Sequence, residues 1–352
     1  MKLGCFPVLW KTEALYYLSI GLFVLDKLAL GVNGHVAAWH KGMYCLNGTI
    51  SGVDDQDTNS AVQPLYQLNK TDWWMHHFNG CDQFPPAAGD FLELPVNGEF
   101  TVELAVNRAF TTFSYDGTRV GTFGDGQEHP GLGVTLEGKD NATACITNPN
   151  IHTQNETMAA GTIFAISYTS DITQVTEDNL VVFTVLPNTP WKRLATYKVP
   201  NLPVCPDDGC ICTWGWVPNG CGEPNMYMQP FRCKVTGQTG TQPVSRATAP
   251  MWCEGNQSQC IAGAKQMVFY GQIEGNNVDI SGLDSTGQPK APTYDTRMGF
   301  TSGAQTDIFQ ADATVSSTYI PPAPTSSSES GLRITKVNVL SWALAAVMFA
   351  FL

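Results

Sequence analysis

From Phe100 the chain alternates: Phe100, Val102 and Leu104 are apolar, and Thr101 and Glu103 between them are polar. That period of two buries one face of a β-strand. Further runs, Thr162–Ser167, Asn179–Leu186, Arg193–Val199, Cys212–Val217 and Tyr227–Val235, are rich in β-branched and aromatic residues and are set apart by Gly, Pro, Asn and Asp. The first group suits a pleated surface and the second suits turns. Short strands at turn-punctuated intervals predict an all-β protein, an immunoglobulin- or fibronectin-III-like β-sandwich. No segment sustains a 3.6-residue period, so helices are expected to be short and peripheral. The long polar stretches Asn47–Gln63 and Gly117–Pro149 are expected to be surface loops that shape one end or face of the sandwich.

The two ends of the chain follow other patterns. Lys2 and Lys11 precede the apolar run Leu15–Leu25, and Leu28–Gly34 ends in Val32-x-Gly34, acceptable at positions −3 and −1 of a signal cleavage site. Residues 1–34 therefore read as a signal peptide, with a retained signal anchor as the alternative because Asp26 and Lys27 interrupt the segment. Residues 35–311 are the expected sandwich domain. Residues 312–330 form a Ser/Thr/Pro-rich stalk, a composition too poor in apolar groups to offset its own ordering entropy. In 331–352, Arg333 and Lys336 precede a terminal apolar run from Val337 to Leu352. With small residues at Ser328 and Ser330, this predicts a glycosylphosphatidylinositol attachment signal. The alternative is a tail-anchoring helix, for which the run is short against the roughly twenty residues a span needs.

Composition narrows the setting. A formal charge of −12 excludes a partner held by its phosphates, such as nucleic acid, which draws on Lys and Arg clusters. Eleven cysteines, 33 glycines, 22 prolines and only 14% charged residues describe a loop-rich, disulfide-bonded extracellular protein. Sequons at Asn47, Asn69, Asn141, Asn155 and Asn256 fit a glycoprotein on that route. Cleavage after Gly34 removes Cys5 and leaves ten cysteines, enough for five disulfides of undetermined connectivity. Cys205-x4-Cys210-x-Cys212 has a zinc or redox reading too, but it lacks the paired C-x2-C spacing.

The same cleavage makes His35 the mature N-terminus. A terminal histidine offers a metal its free amine and its ring Nδ1, and one more imidazole completes a plane of three nitrogens suited to copper. The plainer reading is a histidine at the start of a secreted domain. The second imidazole must come from His40, His76, His77, His129 or His152. His40 is too near His35 along an extended chain, and His76-His77 follow Trp73-Trp74-Met75 in what reads as a packed segment. His152, in a loop before the Thr162–Ser167 strand, is favoured only modestly over His129 by spacing. Trp39 could stack on a sugar ring, although tryptophan is more often core.

Several longer blocks carry a resemblance. They include His35-Val-Ala-Ala-Trp-His-Lys-Gly-Met-Tyr44, Trp73-Trp74-x-His76, Pro85-Pro-x-x-Gly-Asp90-Phe-x-Glu-Leu-Pro95 and Cys205-Pro-x-x-Gly-Cys-Ile-Cys212. Tyr227-Met-x-x-Phe-x-Cys233-Lys-Val-Thr-Gly237, Gly263-Ala-Lys-Gln266, Glu274-Gly-Asn-Asn277 and Gly303-Ala-Gln-x-Asp-Ile-Phe309 continue it. Together they resemble fungal lytic polysaccharide monooxygenases of auxiliary activity family 14, from His35 to about Phe309. The resemblance implies one copper ion held in a histidine brace by His35 and His152, with Tyr227 axial; these three are the expected metal and catalytic residues. His152-Thr153 and Tyr227-Met228 match the family's His-Thr and Tyr-Met pairs. The glutamine common two residues before the axial tyrosine is Asn225 here, a shorter side chain.

Such a site suits oxidation. The α-amino group has a reference pKa of about 7.7–8.0 and yields its proton to copper at modest cost, and neutral imidazoles complete the plane. Copper with an open position activates dioxygen or peroxide to take hydrogen from a sugar C–H, and no carboxylate pair is needed, unlike in a hydrolase. The resemblance implies a secreted, monomeric oxidoreductase that cleaves β-linked wall polysaccharide, xylan associated with cellulose in particular. An external electron donor serves it, and it meets the membrane only through the C-terminal lipid anchor. The alternative is a non-catalytic cell-surface copper-binding protein in copper capture or wall homeostasis.

Overall fold

A computed structural model describes residues 35–132, 145–146, 148–218, 221 and 224–311. The expected signal peptide, stalk and anchor signal lie outside the described residues. Nine strands are described: β1 (Ala37–Trp39), β2 (Leu92–Pro95), β3 (Glu99–Ala105), β4 (Thr162–Ser167), β5 (Val181–Leu186), β6 (Leu194–Lys198), β7 (Cys210–Trp216), β8 (Tyr227–Thr236) and β9 (Gly303–Ala304). They form a three-stranded sheet in the order β1-β3-β6 and a six-stranded sheet in the order β2-β8-β7-β4-β5-β9. All pairs are antiparallel except β2 and β8, which run parallel. The result is a β-sandwich with a mixed larger sheet. The one α-helical turn among the described residues, α1 (Lys70–Trp73), and several 3-10 turns lie in connections, as expected.

The pleat explains how the strands bury themselves. Alternate side chains of a strand point to opposite faces. Phe100, Val102 and Leu104 of β3 join Phe164, Phe183, Tyr197, Trp214 and Phe231 in the core between the two sheets. The other face of the larger sheet, with Ile163, Ala165, Val182 and Met228, is covered by Trp73, Phe269, Met298 and Phe300 from the connections. β4 and β7 are therefore buried at every position. That is why they read as continuous apolar runs while β3 alternates. The three elements without a prediction, β1, β2 and β9, are two to four residues long, too short to display a period.

Five disulfides pair all ten cysteines from Cys45 to Cys260: Cys45–Cys81, Cys145–Cys221, Cys205–Cys210, Cys212–Cys233 and Cys253–Cys260. The Cys205, Cys210 and Cys212 cluster is thus oxidised structure, and its zinc reading falls. Trp39 is core: it is fully buried and its indole Nε1 donates to the Ala105 carbonyl at 2.9 Å.

Candidate metal centre

Three expected site residues come from three separate parts of the fold. His35 lies two residues before β1, whose pairing with β3 through Ala37 and Ala105 fixes where the chain begins to run along the sandwich. Tyr227 opens β8 and sits opposite Trp216, the last residue of β7. His152 belongs to the loop that leads into β4 and has φ 43°. The left-handed region is uncommon for a residue with a side chain, and such conformations gather at functional sites.

The structure brings the three together. The rings of His35 and His152 face each other, 6.1 Å between centroids and 6° from parallel. The Tyr227 hydroxyl lies 2.8 Å from His35 Nδ1, and with that nitrogen unprotonated the phenol is the donor. The Tyr227 ring stacks at 4.5 Å on Trp216, whose own ring lies 5.7 Å from His152. One buried tryptophan thus backs both residues.

Hydrogen bonding and burial set the chemical state of the rings. His152 donates its Nδ1 proton to the Cys221 carbonyl at 2.8 Å, which makes Nε2 the lone-pair nitrogen. Burial first, and the neighbouring His152 second, push the His35 ring from its ordinary 6.5 down to about 4. His35 therefore stays neutral in mildly acid solution, the form in which imidazole binds metal.

The donor set fits copper. Two imidazoles and a phenol converge, and the nitrogen ligands are of the kind tetragonal copper takes. Among the described residues no group of three His, Cys, Asp or Glu side chains is placed to hold a metal. The His35 backbone nitrogen would add a third nitrogen donor once it is a free amine.

The other histidines lie elsewhere in the fold. His40 Nδ1 accepts from the Gly42 amide at 3.1 Å. His76 is buried at 1% exposure, and His77 is bonded to Asp82. His129 pairs with the Asp125 carboxylate at 2.5 Å. Asn225 is buried, and its Oδ1 has no partner among the described residues. Sequence reasoning missed Trp216 and the Cys221 carbonyl. Trp216 read as an ordinary strand aromatic, and a backbone carbonyl from a loop carries no signal in the residue types.

Comparison with known proteins bears on this geometry. The family model described as "Lytic polysaccharide monooxygenase AA14" matches residues 17–345. The AA14 family lytic polysaccharide monooxygenase B of Talaromyces rugulosus is 37% identical over 281 residues, covering 79% of this chain and 93% of the relative. The AA14 family lytic polysaccharide monooxygenase A of Trametes coccinea is 31% identical over 325 residues, 89% of this chain and 70% of the relative. A third similar protein, from Pycnoporus cinnabarinus, is 32% identical over 291 residues and is also an AA14 family lytic polysaccharide monooxygenase B.

Proposed function

This chain belongs to the AA14 family of lytic polysaccharide monooxygenases, copper-dependent oxidoreductases, and we propose that it is exported and oxidises β-linked wall polysaccharide at a centre made by His35, His152 and Tyr227. The observation that supports this reading most is the pair of facing imidazoles with the Tyr227 hydroxyl at His35 Nδ1. Cleavage after Gly34 frees the His35 amine, so His35 offers amine and Nδ1 together while His152 offers Nε2. Copper, when bound, supplies the one-electron chemistry and the activation of the oxidant.

The protein's own groups prepare the site. Burial keeps the His35 ring unprotonated. The Cys221 carbonyl holds His152 in one tautomer and one orientation. Tyr227, held by its stacking on Trp216, would present its hydroxyl to a metal bound beside His35. The preferred substrate in this reading is xylan associated with cellulose, with electrons from an external donor. A lipid attached near Ser328 holds the enzyme at the cell surface or wall, so it acts on polymer within reach of that anchor.

The test supplies the correctly processed protein with copper and a reductant and offers xylan, cellulose and their mixtures. Oxidised oligosaccharides released from the xylan-coated cellulose are the expected product. Their absence from every polymer, with copper bound, removes the substrate reading.

A further inference from the structure

One transverse row of the large sheet connects the histidine pair to a cleft that the site described above leaves unused. Tyr227 is opposite Trp216, Trp216 opposite Thr162, and Thr162 opposite Leu186. Three strand spacings separate Leu186 from Tyr227, about 14 Å of backbone. Beyond the ends of this row, Ala160 and Gly161 before β4 and Pro187 and Asn188 after β5 line a cleft of about 660 Å³. Gln154, two residues past His152, lines it as well. The loop that carries His152 is therefore also a wall of the cleft, and both lie at the same end of the sandwich.

We infer that this cleft is a second glycan subsite, which takes a neutral sugar residue of the chain whose scissile bond lies at the histidine pair. The inference rests on the polysaccharide reading above.

The cleft is built in advance. The Ala160 carbonyl accepts from Tyr294 N and from Thr293 Oγ1, both at 2.9 Å. The opposite wall is a turn closed by Lys290 N to the Gly282 carbonyl at 3.0 Å and by Gln288 N to Asp284 Oδ1 at 2.9 Å. A volume of this size on a bonded frame suits a small ligand at low ordering cost.

Charge selects the ligand class. Arg297 gives Nε and Nη2 to the Asp295 carboxylate at 3.0 and 2.7 Å. Asp284 Oδ1 already accepts from Thr286 N, Thr286 Oγ1 and Gln288 N. The Lys290 ammonium lies over the Trp252 ring, 5.3 Å from its centroid. Asp284, Asp295 and the nearby Glu254 all act on Arg297. The lining itself carries two carboxylates, Asp284 and Asp295, and two cations, Lys290 and Arg297, so it has no net charge, which suits a neutral ligand. Beside these charges, the exposed side-chain amides of Asn188 and Gln288 make no hydrogen bond within the described residues. Beside them lie Pro187, Pro289, Ala291 and the 41%-exposed Met158. Amide groups next to apolar surface match the hydroxyl rim and C–H face of a neutral sugar.

The test compares the processed, copper-loaded protein with its Asn188→Gly/Gln288→Ala double variant. Asn188 has φ 57°, which glycine adopts freely, and both positions are exposed, so the variant keeps the fold. The probes are a neutral linear xylo-oligosaccharide and the same chain bearing a uronic acid branch. Two lost amide hydrogen bonds are expected to weaken neutral-chain binding about tenfold. The KM on polymer should rise by a similar factor, with kcat and the copper paramagnetic resonance spectrum unchanged. Equal binding by variant and wild type overturns the subsite while leaving the polysaccharide reading intact. Tighter binding of the uronate-bearing chain overturns the ligand class. If the wild type binds neither chain, the polysaccharide reading fails and the subsite with it.

Discussion

His152 donates its Nδ1 proton to the carbonyl of Cys221 at 2.8 Å, and Cys221 is disulfide-bonded to Cys145. The residue after Cys145 closes the loop from the other side, because Ile146 N donates to the Thr153 carbonyl at 2.9 Å. The disulfide thus joins the two segments that orient His152. Cys145→Ser is expected to lower stability by about 4.5 kcal/mol, the chain-entropy value for a bridge of this span. Copper affinity should fall about 10- to 100-fold, as it does when partners that orient a metal ligand are lost. Thermal unfolding and a competitive copper titration measure the two effects. A loss of stability with unchanged affinity shows that the bridge only holds the fold.

The amine ligand has its own control. One Ala inserted before His35 retains every side chain but turns the chelating amine into an amide. Copper affinity should fall by orders of magnitude and the paramagnetic resonance parameters should change. His152→Ala, which removes another equatorial nitrogen, should weaken binding as sharply. An extended protein with native affinity and spectrum means that His35 does not chelate through its terminus.

Tyr227→Phe removes the hydroxyl 2.8 Å from His35 Nδ1 but keeps the ring on Trp216. The expected cost is about 1 kcal/mol of stability, one hydrogen bond. Copper should still bind in its plane, with altered spectral parameters and reactivity. Complete loss of copper binding in this variant contradicts an axial role for the phenol.

Acid should weaken the fold through His76. Burial pushes this ring from 6.5 down to about 4, so between those values the unfolded chain takes up a proton that the folded one refuses. Stability is therefore full above pH 6.5, falls as pH drops toward 4, and loses no more to this group below that. One fully buried histidine contributes about 3 kcal/mol to the fall. His40, also pushed to about 4 by burial, acts in the same direction. Urea unfolding of the wild type and of His76→Asn at pH 7 and pH 4.5 separates the contributions. Asparagine tolerates the left-handed backbone, φ 59°, at this position. An equal acid loss in both proteins excludes His76 as the source.

The disulfide count is checked directly. Thiol labelling of the unfolded, unreduced mature protein should find no free thiol among the ten cysteines from Cys45 to Cys260. Two or more labelled cysteines show that at least one of the five bridges is absent.

The residue pattern alone determined much of the frame. β3 and β6 alternate because one face of each meets the core, and β4, β5, β7 and β8 are largely apolar because they pack on both faces, so their positions were legible to within a few residues. An even cysteine number in a chain with an export pattern pointed to disulfides, and the small residue before His35 pointed to a terminal histidine. Only the folded chain decided the rest. Spacing favours His152 over His129 only modestly; in space His129 is held by Asp125 while His152 faces His35. Pairing Cys212 with Cys233 and Cys145 with Cys221 needed the registry of β7 with β8 and the course of two loops. The tautomer of His152 depends on a carbonyl 69 residues away. Local propensity acts over a few neighbouring residues, whereas a metal site is made by directions in space, and those exist only once distant segments have packed.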